Sequence, residues 1–124
     1  MQHVCRYPSA SAGFCAATAV SARLFTGTDE LNFDVEWVAG TSVTEPGTTP
    51  AADVIYNYAT WTQFSDECGM SRVWAGVHFP DAVPAGQALG TTIGERAYQF
   101  YLDHLNNEGN AGILRGRAQP PSRR

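Results

Sequence analysis

Residues 9–25 read SASAGFCAATAVSARLF, and this run decides the class of fold. Pro8 precedes it, so Ser9 or Ser11 is placed to cap a helix. Small and apolar residues then occupy most of the circumference of the predicted helix, which Gly27 ends. Such a helix should be buried, and its alanines permit close approach of neighbouring helices. The run therefore predicts a mainly α-helical domain.

Two further helices are predicted downstream of this run. The first begins at Thr60, whose spacing to Gln63 fits a capping box, and should place Ser65 on its solvent side and stop near Pro80. The second runs from Ala85 to about Leu105. Its apolar positions repeat at helical spacing: Ala85, Leu89, Ile93, Ala97, Phe100 and Tyr101.

Between the first two helices, residues 33–58 form an insertion. Phe33–Trp37 alternates apolar and acidic residues and predicts a half-buried strand, while Asp29–Asn32 reads as a polar loop. Alternation returns at Val54–Tyr58, and Pro46 with Gly47 marks a turn. A small hairpin is the simplest interpretation, and an irregular lid is the alternative because isolated hairpins are marginally stable.

The bulk numbers fit one small domain. The chain has 124 residues and is 44% apolar, so we expect a tail at 1–8, a domain at 9–105 and a disordered, arginine-rich tail at 106–124. The net charge of −4 disfavours a general nucleic-acid binder. No apolar run approaches the ~20 residues of a membrane span. The sequence leaves the compartment open.

The three cysteines are Cys5, Cys15 and Cys68, and their spacing does not suit a zinc site. One interpretation is that they are inert, buried thiols. The other is a Cys15–Cys68 disulfide that joins two helices, which would imply an oxidising compartment.

Candidate chemistry centres on residues 71–81, which read SRVWAGVHFPD. The Arg72 guanidinium can hold an oxyanion through two parallel hydrogen bonds, and the His78 imidazole can attack phosphorus or bind a metal centre. Six residues of unbroken helix would not place both on one face, but Gly76 and the following Phe79-Pro80 suggest that His78 lies at a helix end. The alternative is a histidine with a purely structural role, hydrogen-bonded in the core.

Ser9 is a second candidate, because a helix N-terminus offers free N–H groups and a positive dipole end to an oxyanion. The alternative is an ordinary N-cap serine. Both stretches together suggest a site for phosphate or an anion shaped like it.

These stretches resemble a known family. Arg72 and His78, preceded by Ser71 and followed by residues 85–90 (AGQALG), look like the last motif of the vanadium-dependent haloperoxidases, which share their site with type 2 phosphatidic acid phosphatases. Residues 7–12 (YPSASA) look like the family's preceding Pro-Ser-Gly-His motif, and residues 25–30 are also similar. The resemblance covers roughly residues 7–105. It implies a helical bundle that holds vanadate or phosphate between helices.

The resemblance also implies roles for individual residues. His78 would bind vanadium, Arg72 and Ser9 would hold the oxyanion with Ser71 beside them, and Asp81 would orient His78 or else cap the next helix. With vanadate bound, peroxide would oxidise halide, and the metal would act as a Lewis acid.

Three departures from the family pattern argue for an incomplete site. An upstream motif with a lysine and an arginine is absent, and the chain contains no lysine. Ser11 stands where the acid–base histidine is expected, and serine does not shuttle protons near neutrality. Asp81 follows His78 by three residues instead of four.

We therefore expect a partial chain of a vanadium-dependent haloperoxidase, inactive by itself, that uses vanadate only if upstream residues complete the site. The alternatives are a non-catalytic helical module that docks onto a partner, and an acid phosphatase of the same superfamily. Three helices and a hairpin leave apolar surface uncovered, so we also expect self-association.

Overall fold

The computed structural model describes residues 7–106, and within this range the protein is mainly helical with one hairpin, as predicted. Of the tails predicted at residues 1–8 and 106–124, residues 1–6 and 107–124 lie outside the described residues. The elements in chain order are α1 (Ala10–Thr26), β1 (Glu30–Trp37), β2 (Val54–Thr60), α2 (Trp61–Trp74) and α3 (Ala82–Leu105).

Helix α1 begins and ends where its sequence predicts. The Ser9 side chain is the N-cap and accepts a hydrogen bond from the Ala12 N–H at 3.3 Å. Gly27 adopts the left-handed conformation (φ 75°), and its N–H donates to the Arg23 carbonyl. These bonds satisfy backbone groups that the helix itself cannot pair.

Helices α1 and α3 run parallel and touch through their backbones. Three glycines of α3, four residues apart, face α1, and a Cβ at any of them would collide with its backbone. The colliding carbonyl oxygens belong to Ser9 for Gly86, Gly13 for Gly90 and Ala17 for Gly94. The three glycines of α3 and the three residues of α1 that they face both advance by four residues in the same direction, which is the spacing of one helix face. The glycines therefore set the distance between the two helices.

The predicted extent of α3 is close to the observed one, but the predicted contact face is wrong. Leu89 and Ile93 are 52% and 50% exposed, whereas the neighbouring glycine stripe is buried. Because glycine offers no side chain to bury, the hydrophobic periodicity indicated the face with Leu89 and Ile93 instead of the glycine face.

Helix α2 runs antiparallel to α1, and a Cys15–Cys68 disulfide joins the two, with 6.3 Å between the Cα atoms. The disulfide interpretation is thus confirmed for this structure, and the interpretation of inert thiols is wrong for this pair. Ser65 is buried against the bundle (8% exposed), contrary to the predicted solvent side, because α1 approaches closely where α2 carries small side chains. The predicted cap is confirmed: the Gln63 N–H donates to the Thr60 hydroxyl at 3.0 Å.

The insertion is a two-stranded antiparallel hairpin. β1 begins at Glu30, so the predicted polar loop is partly strand, with an irregularity in the register before Phe33 and a positive φ of 47° at Asn32. The turn at Pro46-Gly47 is present: the Thr48 N–H donates to the Glu45 carbonyl at 3.2 Å, and Gly47 has a φ of 79°. The hairpin packs against α2 through Tyr58, whose ring makes an edge-to-face contact with the Phe64 ring.

Much apolar surface remains exposed, which corrects two predictions. Phe14 and Phe25 of α1 are 76% and 67% exposed, so the helix predicted to be buried lacks cover on one side. Phe33 and Trp37 of β1 are also more than half exposed, so β1 is not half-buried. The buried contacts between the three helices involve mostly small residues, together with Val83, and many large side chains remain exposed. None of the described helices is long and apolar enough to cross a membrane.

Candidate oxyanion-binding site

The end of α2 differs from the prediction. The helix stops at Trp74 instead of near Pro80, because Gly76 takes the left-handed conformation (φ 69°) and closes a Schellman motif. The Gly76 N–H donates to the Val73 carbonyl at 2.9 Å, and the Val77 N–H donates to the Arg72 carbonyl at 3.0 Å. The backbone therefore turns back towards Arg72 within four residues.

This turn brings His78 back towards Arg72, although six residues of unbroken helix would place the two residues on different faces. The His78 N–H also donates to the Arg72 carbonyl, at 3.2 Å. His78 thus lies beyond the helix end, as its flanking Gly76 predicts, and its side chain is half-buried. The structure brings the backbones of the two predicted site residues together by a route that helical spacing alone excludes.

The Arg72 side chain is the unusual feature of this region. Arg72 follows Ser65 and Gly69 by seven and three residues, so it shares their inward helix face. Its Nε atom is buried, and no described group accepts a hydrogen bond from it. A buried donor without an acceptor costs about 1–3 kcal/mol. An acceptor that is not part of the described protein, such as an anion, would remove that cost.

Gly69 marks where all three helices meet. A Cβ at Gly69 would lie 2.8 Å from a Val83 methyl of α3 and 3.5 Å from the Ala12 Cβ of α1. Arg72 lies one turn beyond Gly69, and Ser9 lies one turn before Ala12, each about 4.5 Å along its axis. Because α1 and α2 are antiparallel, both steps lead to the same end of the bundle.

We call this end, with Ser9, Arg72, His78 and Asp81, the junction end. The sequence predicted all four of these residues as site residues but did not indicate Gly69, which creates the junction. The signal available for it was the pair Ser65 and Gly69, two small residues one turn apart on the face that leads to Arg72.

Ser9 is fully buried (0% exposed) and is held firmly. Its N–H donates to the Ala82 carbonyl at 2.8 Å, and its hydroxyl oxygen accepts from Ala12. The ordinary N-cap interpretation is therefore confirmed. A hydroxyl that accepts one bond still has its own proton to donate, so the cap and an oxyanion contact are compatible.

The other predicted site residues are less well placed. The Ser71 hydroxyl donates to the Cys68 carbonyl at 2.7 Å and is exposed, so its proton is already used within α2. Asp81 occupies the N-cap position of α3, but its side chain makes no cap hydrogen bond. The proposed capping role of Asp81 is therefore wrong, and its role towards His78 stays a prediction.

The electrostatics of the junction end favour an anion weakly. Helices α1 and α3 both begin there, each contributing roughly half a positive charge, and the C-terminus of α2 contributes roughly half a negative charge. With Arg72 the total is about one and a half positive charges. A tetrahedral oxyanion such as vanadate or phosphate fits these donors, above all the unpaired Arg72 Nε, but its charge is only partly balanced.

The described part of the chain is a small helical bundle in which two parallel helices begin beside the buried Arg72 Nε, and this fold defines the class of protein. The chain matches the VCPO second helical-bundle domain over residues 1–107, where VCPO denotes vanadium chloroperoxidase. It therefore belongs to this family.

Two solved structures are similar to the chain. It aligns with the crystal structures of a bacterial vanadium-dependent chloroperoxidase in the holo form (TM-score 0.78) and the apo form (TM-score 0.77). Sequence identity is 40% in both, over 80% of this chain. The chain spans only 21% and 22% of the length of those proteins. A comparison with curated protein sequences gave no match.

Proposed function

We propose that this chain carries part of a vanadate site of the vanadium chloroperoxidase type, with Arg72 and Ser9 as oxyanion donors and His78 as the ligand to vanadium. The observation that carries the proposal is the buried, unpaired Nε of Arg72 at the junction end. The similarity to two vanadium-dependent chloroperoxidases, at 40% identity, supports it. Bound vanadate would supply Lewis-acid activation of peroxide for halide oxidation.

Each residue has a defined task in this proposal. The Arg72 guanidinium donates hydrogen bonds to the oxyanion and balances one of its charges. The Ser9 hydroxyl donates its free proton from a fixed backbone, and the first N–H groups of α3 provide a positive dipole end. His78 presents a ring nitrogen from the turn after α2. Ser71 is left out because its proton is bonded within its helix.

The same geometry predicts that the site of this chain is too weakly charged to act alone. The resemblance implies three cationic side chains in a complete site, and this chain offers Arg72 and helix ends. Ser11 lies in the first turn of α1, and a serine there does not exchange protons near neutral pH. We therefore propose that residues 1–124 bind vanadate or phosphate with a dissociation constant of about 1 mM or weaker, roughly −4 kcal/mol, and do not oxidise halide without further cationic and proton-transferring groups.

The test is a titration of the purified chain with phosphate and with vanadate, followed by backbone NMR shifts. We expect shifts at the start of α1, at the end of α2 and in the turn to α3, with saturation only at millimolar concentrations. Arg72→Ala should remove the binding, and Arg72→Lys should weaken it because lysine lacks the two-pronged geometry of guanidinium. Arg96→Ala, on α3, is the matched control and should leave binding unchanged.

Three results would contradict parts of the proposal. Equal affinity in the Arg72→Ala variant would remove Arg72 from the site, and shifts confined to other parts of the chain would move the site elsewhere. Micromolar vanadate affinity in the unmodified chain would leave the location standing but refute the charge argument. The His78→Ala variant separates the two anions, because loss of a metal ligand should reduce vanadate binding more than phosphate binding.

The alternative functions gain less support. An acid phosphatase needs a proton donor for the leaving group, and Ser11 is a poor one. A non-catalytic module that docks onto a partner is compatible with the exposed Phe14 and Phe25, but such a module gives no reason for the unpaired Arg72 Nε. Hydrolysis of a phosphate monoester by the chain, lost in the His78→Ala variant, would favour the phosphatase.

A further inference from the structure

We propose that the Cys15–Cys68 disulfide acts as a redox-controlled clamp on the oxyanion site, so that its reduction lowers oxyanion affinity by releasing Arg72 from its position at the junction end. The inference rests on the proposed function and adds a regulation to it. It follows from where the bond lies and from what else joins the two helices.

The disulfide lies close to both donors. Cys68 precedes Arg72 by four residues, about one turn of α2, and Cys15 follows Ser9 by six residues on α1. The bond therefore ties together the helix that carries the guanidinium and the helix that begins at the serine. A crosslink this near the helix ends limits both sliding and splaying of α2 against α1.

Apart from Asp29, which pairs with Arg23 of α1 and accepts hydrogen bonds from the Trp61 and Thr62 N–H groups at the start of α2, little else holds α2 to α1. The buried residues of the contact are small, namely Ala12, Ala16 and Ala19 on α1 and Ser65 and Gly69 on α2. Small side chains bury little apolar area, so each adds little to the attraction between helices. Among the described residues, no side-chain hydrogen bond links α1 with α2.

Ser9, by contrast, is held independently of the disulfide. Its N–H bond to the Ala82 carbonyl attaches it to α3, and the glycine stripe keeps α1 and α3 together. The Ser21 hydroxyl also donates to the Gly94 carbonyl at 3.3 Å. Helix α2 keeps a side-chain hydrogen bond to α3, which Gln87 donates to Asp66 at 3.0 Å. Breaking the disulfide should therefore loosen α2 with Arg72 relative to α1, while α1 and α3 stay together as a pair.

The switching reaction is thiol–disulfide exchange with a dithiol reductant. One thiolate of the reductant attacks one sulfur of the disulfide, and its second thiol completes the exchange. The S–S bond breaks, Cys15 and Cys68 each gain one electron and one proton, and the reductant becomes a cyclic disulfide. Oxidation by a small disulfide reverses the reaction, so the clamp is reversible.

The experiment uses the full chain with Cys5→Ser, which removes the third thiol and thereby prevents exchange within the chain. Phosphate is the probe, titrated by NMR against the oxidised, the reduced and the reoxidised sample, well below the unfolding temperature. We expect phosphate affinity to fall by about fivefold or more on reduction, the lower end of typical coupling between sites. Reoxidation should restore it, and the Cys15→Ser, Cys68→Ser double variant should match the reduced chain.

The outcomes separate the two proposals. Equal phosphate affinity in the oxidised and reduced chains, with helicity intact, overturns the clamp and leaves the proposed function standing. The absence of phosphate-dependent shifts at the junction end in either state overturns the proposed function and the clamp with it. If reduction unfolds the whole chain, as judged by far-UV circular dichroism, the bond holds the fold rather than the site, which also overturns the clamp.

Discussion

Replacing Gly90 by alanine tests the backbone contact between α1 and α3 more directly than any other change. Two effects oppose each other. Alanine favours helix by about 1 kcal/mol relative to glycine at an interior position. The new Cβ, however, would collide with the carbonyl oxygen, carbonyl carbon and Cα of Gly13, which are backbone atoms that cannot rotate away. Overpacking of this kind typically costs roughly 1–3 kcal/mol, and collision with a rigid backbone lies at the upper end.

The collision should therefore win, with a net loss of about 1–2 kcal/mol. For a domain of this size each 1 kcal/mol lowers the unfolding midpoint by about 4–8 °C. Urea unfolding followed by circular dichroism measures the loss. The control is Ala88→Gly, an exposed position on the same helix, which should lose only the propensity of about 1 kcal/mol. A Gly90→Ala variant that is more stable than the unmodified chain would refute the parallel packing.

Three further predictions concern the rest of the chain. Thr60→Ala should cost about 1 kcal/mol of stability, because the Gln63 N–H loses its cap; an unchanged urea midpoint would contradict this. The hydrogen bond that Tyr56 donates to Glu67 raises the pKa of Tyr56 above 10.0, so its stabilising contribution is present below pH 10 and is lost as the pH rises through the raised pKa. A pH titration of tyrosinate absorbance should show one late phase that Tyr56→Phe removes. The exposed Phe14 and Phe25 predict self-association, and a clean monomer in sedimentation that binds no hydrophobic dye would contradict it.

The sequence predicted the local signals of this fold well and its contact faces poorly. The caps at Ser9 and Thr60 and the stop at Gly27 are short-range rules, and the structure follows them. The face of α3 was mistaken because hydrophobic periodicity measures the volume available for burial, whereas this bundle buries glycine backbone instead. The sequence did not decide whether Cys15 and Cys68 are paired. Two cysteines 53 residues apart pair only if the intervening hairpin returns the chain antiparallel.

For the site, the residue types were accessible from the sequence but their convergence was not. Arg72 and His78 stand six apart, and only the left-handed Gly76 brings the second residue back to the carbonyl of the first. The placement of Ser9 at the same end of the bundle depends on the direction of three helices, which no local pattern specifies. Asp81 shows the reverse case: the cap position was predicted, and the side chain does not use it.

The start of α3 indicates how the fold and the proposed site depend on each other. The Ser9 carbonyl occupies the space that a side chain at position 86 would fill, and the Ser9 N–H is bonded to the Ala82 carbonyl. Residues 85–90, which the sequence suggested through their resemblance to a site motif, therefore pack against the start of α1 and fix the position of the serine. Backbone contacts of this kind are insensitive to salt, whereas the attraction of an exposed anion to one arginine is screened. At the junction end, backbone contacts thus supply the geometry and Arg72 supplies the charge. A second cation placed near Arg72 should therefore raise oxyanion affinity without any rearrangement of the three helices.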